Sequence, residues 1–92
     1  GFHMTNEELK KHLDELHDEL EKAHTMAPEE RDMFGHLMSE MVQIAQGEGQ
    51  SEEHKETLRE RLDLKASDFD ADYPRLSGVI RQVLEALAKM GI

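Results

Sequence analysis

PRLSGVIRQVLEALAKMGI, residues 74–92, is the stretch that decides the fold. On a helix with about 100° between successive residues, its aliphatic side chains fall within an arc of roughly 140°. Polar and charged side chains occupy the opposite side. A helix of this kind is not stable alone in water, so other helices must cover its apolar arc. The arc consists of Leu76, Val79, Ile80, Val83, Leu84, Leu87 and Met90.

The composition of the whole chain also favours helices. Leu, Met, Glu, Lys and Ala are abundant, whereas aromatic residues make up only 4% and β-branched ones are few outside residues 74–92. The chain has no cysteine, which excludes disulfides and thiolate metal sites. No apolar run reaches the roughly 18 residues that a membrane span needs, and no signal-peptide core is present. We therefore expect an all-α cytoplasmic protein.

The length is sufficient for one domain. Gly1, Phe2 and His3, ahead of Met4, are interpreted as an expression-tag remnant, so residues 4–92 are expected to form a single helical domain. Four helices are predicted, at about 6–23, 28–46, 52–70 and 74–90. Because the connections are short, consecutive helices should pack antiparallel. The prediction is a small bundle of two helical hairpins, closed either within one chain or by dimerisation.

The first predicted helix carries a narrow leucine stripe. Thr5 is its predicted N-cap, and Glu8 three residues later would complete a capping box. The stripe covers only about 80° of the helix, so it suits a single neighbour, in the same chain or in a second copy. Its residues are Leu9, Leu13, Leu16, Leu20 and Ala23.

The second predicted helix has a wide apolar face rich in methionine. Pro28 fits its first position, Glu29 and Glu30 complement its positive end, and Gly47 can stop it. The face spans about half of the circumference, so this helix should contact two or more neighbours. Its methionines suit either core filling or an adaptable groove for a partner helix. The face consists of Met33, Phe34, Leu37, Met38, Met41, Val42, Ile44 and Ala45.

The third predicted helix follows the loop Gly47-Glu48-Gly49-Gln50 and begins after Ser51, its predicted N-cap. Leu64 lies well off the apolar side of this helix. Either the helix bends near Leu64, or this side chain is exposed and available to another chain. The apolar side itself is formed by Leu58, Leu62, Ala66, Phe69 and Tyr73.

The net charge of −10 is concentrated in the first half of the chain. Residues 1–53 carry fourteen acidic and four basic residues, whereas residues 54–92 carry seven of each. An acidic surface repels nucleic acid and anionic membranes and steers basic proteins towards itself. Solubility alone also explains an excess of acid. The expected partner is therefore a protein or a second copy, and neither nucleic acid nor a membrane.

Six histidines raise the question of a metal site. His17, Glu21 and His24 lie on one face of the first predicted helix, and Glu21 and His24 have the Glu-x-x-His spacing of carboxylate-bridged di-iron bundles. Two imidazoles and a carboxylate can hold a divalent metal. A di-iron bundle also needs a second Glu-x-x-His and two more inward-facing Glu residues, which the other helices lack. Solvated surface histidines are the simpler interpretation. His12, His36 and His54 have even fewer potential metal ligands near them in the sequence. No cofactor is expected.

No sequence pattern predicts catalysis. Asp68 to Asp72 resembles the opening of a calcium loop, but Tyr73 and Val79 stand where that loop needs Gly and Glu. The four serines lie in no nucleophile elbow, and no glycine-rich phosphate loop precedes a helix. We therefore expect no enzymatic activity.

Three segments of the chain are distinctive, namely ELHDEL at residues 15–20, YPRL at residues 73–76 and LAKMGI at residues 87–92. With these segments the chain resembles a family of short bacterial proteins of unknown function. The resemblance covers Met4 to Ile92 and implies a small helical bacterial protein, without an activity or a functional residue. In the last segment, Gly91 is predicted to end the helix, so that Ile92 either folds back onto the core or acts as a docking terminus.

The leading hypothesis is a non-enzymatic helical module that associates with itself or binds a helix of another protein. One alternative is a metal- or ligand-binding bundle centred on His17, Glu21 and His24, and another is an acidic decoy for a basic protein. The expected interaction surface consists of Leu9, Leu13, Leu16, Leu20, Met33, Met38, Met41 and Leu64.

Overall fold

The computed structural model describes residues 2–47 and 51–92, with side chains described from residue 7 onwards. This part of the chain contains four helices and no strand, which confirms the all-α prediction. Three residues of the predicted Gly47–Gln50 loop lie outside the described part. The helices are α1 (Phe2–Lys22), α2 (Pro28–Ala45), α3 (Glu52–Asp68) and α4 (Pro74–Lys89).

The ends of α2, α3 and α4 follow the capping residues that the sequence supplies. Pro28 and Pro74 occupy the start of α2 and α4, where a missing N–H costs nothing. Ser51 is the N-cap of α3, and its hydroxyl accepts a 3.0 Å hydrogen bond from the backbone N–H of His54. Gly47 follows the end of α2 with φ +79°, a left-handed conformation that glycine adopts without steric cost.

The start of α1 differs from the prediction. The helix begins at Phe2 and passes through Thr5, so Thr5 is not its N-cap. The physical reason is that neither proline nor glycine stands between Phe2 and Thr5. Without such a breaker, a helix nucleated further along extends at little cost. The interpretation of residues 1–3 as a tag remnant stays a prediction.

Helix α4 lies at the centre of the bundle and packs most closely against α1 and α3. Val83 and Leu87 are completely buried, and Leu84 is half-buried at the edge of the core. The radius of gyration is 12.6 Å, close to the roughly 12 Å of a compact chain of this length. The other helices of the same chain therefore shelter the apolar arc of α4, as its periodicity predicts.

The leucine stripe of α1 is part of this core and is not an exposed interaction surface. Leu9, Leu13, Leu16 and Leu20 are all buried, the most exposed of them at 7%. Since α1 packs against α4 of the same chain, the single neighbour that the narrow stripe requires is already present. The expectation that these four leucines bind another molecule is therefore corrected.

Leu64 behaves differently from the leucines of α1. Helix α3 runs without interruption from Glu52 to Asp68, and the Leu64 side chain is 65% exposed. Of the two sequence-based alternatives, exposure is the correct one. The predicted apolar side of α3 faces the core, with Leu58, Leu62 and Ala66 buried and Phe69 and Tyr73 packed against them.

Contacts between side chains fix the antiparallel order of the helices. Lys89 at the end of α4 donates a 3.1 Å hydrogen bond to Glu8 near the start of α1, a contact that raises the pKa of Lys89. At the same end of the bundle, His54 Nε2 at the start of α3 lies 3.0 Å from Glu40 Oε2 late in α2. Each pair joins the beginning of one helix to the end of another, as expected for up-down packing.

Candidate docking groove between α2 and α3

The histidines proposed as metal ligands do not come together. His17 Nε2 lies 3.0 Å from Glu21 Oε1 on the exposed side of α1. His24 lies beyond Lys22, the last residue of α1, so it leaves the helical register that would place it one turn above Glu21. Within residues 2–47 and 51–92, no three His, Cys, Asp or Glu side chains are arranged to hold a metal ion.

Two histidines for which the sequence shows no set of metal ligands, His12 and His54, have carboxylate neighbours in the structure. His12 lies between Glu15, at 3.2 Å from Nδ1, and Glu8, at 4.0 Å from Nε2. His54 pairs with Glu40 across the junction of α2 and α3. The contacts of His12 join successive turns of α1, and the contact of His54 joins α3 to α2.

Asp70, which the sequence places in a failed calcium motif, is held by Arg81 and Ser77 of α4. Arg81 donates to both carboxylate oxygens of Asp70, at 2.7 and 3.0 Å. The guanidinium and then the Ser77 hydroxyl lower the pKa of Asp70 from 3.8 to about 2. The carboxylate of Asp70 therefore joins the end of α3 to α4 through its contacts with Arg81 and Ser77.

Ser77 is the buried polar residue of the core among the side chains that the structure describes. Its Oγ accepts a 2.6 Å hydrogen bond from Arg81 and lies 2.7 Å from the carbonyl oxygen of Ala66, with Asp70 also within hydrogen-bond reach. The single hydroxyl proton of Ser77 is shared between the Ala66 carbonyl and Asp70, and because the Asp70 carboxylate is already paired with Arg81, no free base lies beside the serine to activate it as a nucleophile. Its surroundings are structural.

One open surface with both apolar and charged lining lies between α2 and α3. These two helices approach each other less closely than α4 approaches α1 or α3. Two hollows of about 540 and 290 Å³ lie side by side and share Glu40 and Arg61 as lining residues. We call the two hollows together the α2–α3 groove.

The α2–α3 groove has an apolar floor and a mostly acidic rim. Met33 and Leu37 of α2 and Leu58 of α3 supply its apolar lining. Its charged and titratable side chains are four carboxylates, two imidazoles and one guanidinium. They belong to Glu29, Asp32, Glu40, Glu53, His36, His54 and Arg61.

The methionines of α2 divide between core and groove. Met41 is fully buried, so it is core and not interaction surface. Met33 and Met38 are partly buried against the core, and of these two Met33 lines the groove. One methionine of the predicted adaptable face therefore remains accessible to a partner in the α2–α3 groove.

A family model for a domain of unknown function, DUF4404, matches residues 9–92. The chain belongs to the DUF4404 family. No curated protein and no solved structure matches it. Among the residues that the structure describes, no helix of this DUF4404 chain has the length and apolarity to cross a bilayer.

Sequence reasoning alone missed most of the groove in this DUF4404 domain. It singled out Met33 but gave no role to Glu29, Asp32 or Arg61 beyond helix capping and surface charge. The i,i+4 repeat Glu29, Met33, Leu37 and the flanking Asp32, His36 and Glu40 were the available signal. They place an acidic stripe beside an apolar one along α2, but only the position of α3 turns these stripes into a groove.

Proposed function

We propose that this chain is a non-enzymatic protein-interaction module that binds another protein in the α2–α3 groove. The proposal takes a bacterial cytoplasm as the setting and excludes nucleic acid and membranes as partners, as the acidic surface favours. It assigns no catalytic residue and no cofactor.

The observation that carries the proposal is the groove itself. The buried Leu37 and Leu58 and the half-buried Met33 line an open depression between two helices, which is the arrangement that helix-binding grooves use. Among the residues whose side chains the structure describes, the large exposed apolar side chains are Val42 and Leu64, and neither lines the groove. Single exposed side chains of this kind are common on protein surfaces and do not by themselves indicate a partner.

Burial of the leucine stripe supports one of the two forms of the leading hypothesis, the binding of another protein. Self-association was expected because the stripe of α1 needed a neighbour. Helix α4 of the same chain supplies that neighbour, which removes the reason to invoke a second copy. Binding of a different protein is the form that the remaining surface supports.

Site-specific photo-crosslinking in the cells that make this protein tests the proposal. A photoreactive amino acid replaces His36, which is exposed in the groove, or Asp14, which is exposed on α1. We expect a discrete cross-linked protein from position 36 and none from position 14. Met33→Arg, which fills the groove with a charged side chain, should abolish the adduct while leaving the melting temperature within a few degrees.

Equal cross-linking at both positions, or an adduct that survives Met33→Arg, would contradict binding in the groove. The same holds if neither position gives an adduct. The Leu64→Arg variant serves as the matched control for added charge, because Leu64 is exposed outside the groove. It should leave the adduct intact.

A further inference from the structure

We infer that the partner segment seated in the α2–α3 groove is a basic amphipathic helix. This inference rests on the proposed function and adds the chemistry of the occupant. Three properties of the groove carry it: its length, its apolar floor and the sign of the charge along its rim.

The length of the groove suits a helix of a few turns. Its α2 wall extends from Glu29 to Glu40, and its α3 wall from Ser51 to Arg61. At about 1.5 Å of rise per residue, each wall is roughly 15 Å long, which corresponds to about three helical turns. A partner helix of that length presents apolar side chains at i, i+3 or i+4, and i+7 to one side.

The floor of the groove offers a limited apolar contact. Leu37 and Leu58 are 1% exposed, so a partner reaches only their outermost atoms, and Met33 is half-buried. Methionine adapts its shape to different side chains at low cost. Because the apolar area is small, charges along the rim should decide which helices are preferred.

The rim favours positive charge. With neutral histidines, its four carboxylates and single guanidinium leave the groove acidic, within a chain whose net charge is −10. An acidic partner helix meets repulsion along most of the rim, whereas Lys and Arg side chains flanking an apolar stripe reach the carboxylates of both walls. Such complementarity raises the association rate and selects the partner.

Arg61 allows a test of whether the occupant of the groove is basic or acidic. It lines both hollows, and it has no ion pair or hydrogen bond among the described residues. An unpaired guanidinium in the groove opposes a basic occupant and favours an acidic one. Neutralising Arg61 should therefore strengthen the binding of a basic helix, and neutralising Asp32 should weaken it.

The experiment uses the full chain and two synthetic amphipathic peptides of equal length and equal apolar face. One peptide carries Leu and Lys, and the other Leu and Glu. Binding is measured by fluorescence anisotropy, and the site is located by amide ¹H–¹⁵N shift changes. We expect the Leu/Lys peptide to bind with shift changes concentrated along the α2–α3 groove, and the Leu/Glu peptide to bind at least tenfold more weakly.

Matched variants separate the groove from the overall charge. Asp32→Asn should raise the Kd of the Leu/Lys peptide about two- to fivefold, the range of single exposed charge pairs. Arg61→Gln should lower that Kd by a similar factor. Asp14→Asn and Arg59→Gln change the net charge equally at exposed positions outside the groove, and they should leave the Kd nearly unchanged. Circular dichroism melting confirms that each variant remains folded.

The inference is overturned if the Leu/Lys peptide does not bind, if the Leu/Glu peptide binds better, or if the shift changes lie outside the groove. It is also overturned if the control variants change the Kd as much as the groove variants, because attraction would then be unspecific. Each of these results leaves the proposed function standing when cross-linking at position 36 still identifies a partner, since that partner would then present a different surface.

Discussion

At the scale of single residues, charged side chains near helix ends link neighbouring helices around the apolar core. Arg31 near the start of α2 donates to the carbonyl oxygens of Leu20, at 2.6 Å, and Ala23 at the end of α1. The last carbonyl groups of a helix have no partner within the helix and carry partial negative charge. The carbonyls of Leu20 and Ala23 also accept the backbone N–H groups of Ala23 and Met26, at 3.2 and 3.1 Å, and Arg31 adds a charged donor to each of them beside the turn between the first two helices.

Asp70 gives a prediction about acid stability. Its contacts with Arg81 and Ser77 lower its pKa from 3.8 to about 2, so the folded state favours the ionised form. The stability that Asp70 contributes is therefore fully present above pH 3.8 and is lost as the pH falls towards about 2. Urea denaturation of the wild type and of Asp70→Asn should show a difference in unfolding free energy that shrinks across this interval.

Asp72→Asn is the matched control for this measurement, because Asp72 takes no part in the contacts with Arg81 and Ser77. It removes the same charge two residues further along the chain. A difference between wild type and Asp70→Asn that stays constant from pH 5 to pH 2 would show that Arg81 does not hold Asp70 in solution.

At the scale of elements, helix ends were the most predictable feature. Pro28, Ser51 and Pro74 were expected at the starts of α2, α3 and α4, and each occupies that place. Such signals are local, because a cap or a missing N–H acts within one turn. The start of α1 was predicted wrongly because a capping signal is local and does not show whether the helix extends beyond it. A favourable capping box at Thr5 does not end a helix when no breaker precedes it.

The last residues of the chain form the C-terminal cap of α4. Gly91 has φ +79°, its N–H donates to the carbonyl of Ala88, and the N–H of Ile92 donates to the carbonyl of Leu87. This pair of hydrogen bonds is the Schellman motif. Ile92 packs against the core, so of the two roles considered for it, folding back is the one observed.

Two glycines of the last segment give opposite predictions for the same substitution. Gly91→Ala forces an L side chain into the left-handed region and should lower the free energy of unfolding by about 1–2 kcal/mol. Gly78→Ala lies within α4, and an added Cβ there meets no atom within 4 Å. It should raise that free energy by about 0.5–1 kcal/mol. Urea denaturation curves of the two variants and the wild type provide the comparison, and stabilisation by Gly91→Ala would refute the left-handed cap.

At the scale of the whole molecule, periodicity predicted which side chains are buried but not which helices meet. The arc of α4 and the stripe of α1 were both correctly recognised as apolar. A stripe as narrow as that of α1 fits a neighbouring helix equally well in the same chain or in a second one. The sequence carries no local signal that α4 inserts between α1 and α3, so the stripe was wrongly assigned to an exposed surface.

The groove was beyond sequence reasoning for a related reason. Its lining comes from two helices, and its existence depends on the distance between them. Charge patterns along α2 suggest only an acidic surface, and those along α3 suggest a mixed one. The clamp formed by Asp70, Ser77 and Arg81 is likewise assembled from two elements, and it accounts for an acidic segment that resembled a calcium loop.

The mass of the intact chain in solution tests most directly whether one molecule closes its own core. Light scattering after size-exclusion chromatography at micromolar concentration should give a single species of 10.6 kDa. We predict this result because Leu9 and Leu16 of α1 and Val83 and Leu87 of α4 are all buried within one chain. A species of twice that mass would contradict it, since the core would then have to be shared between two copies.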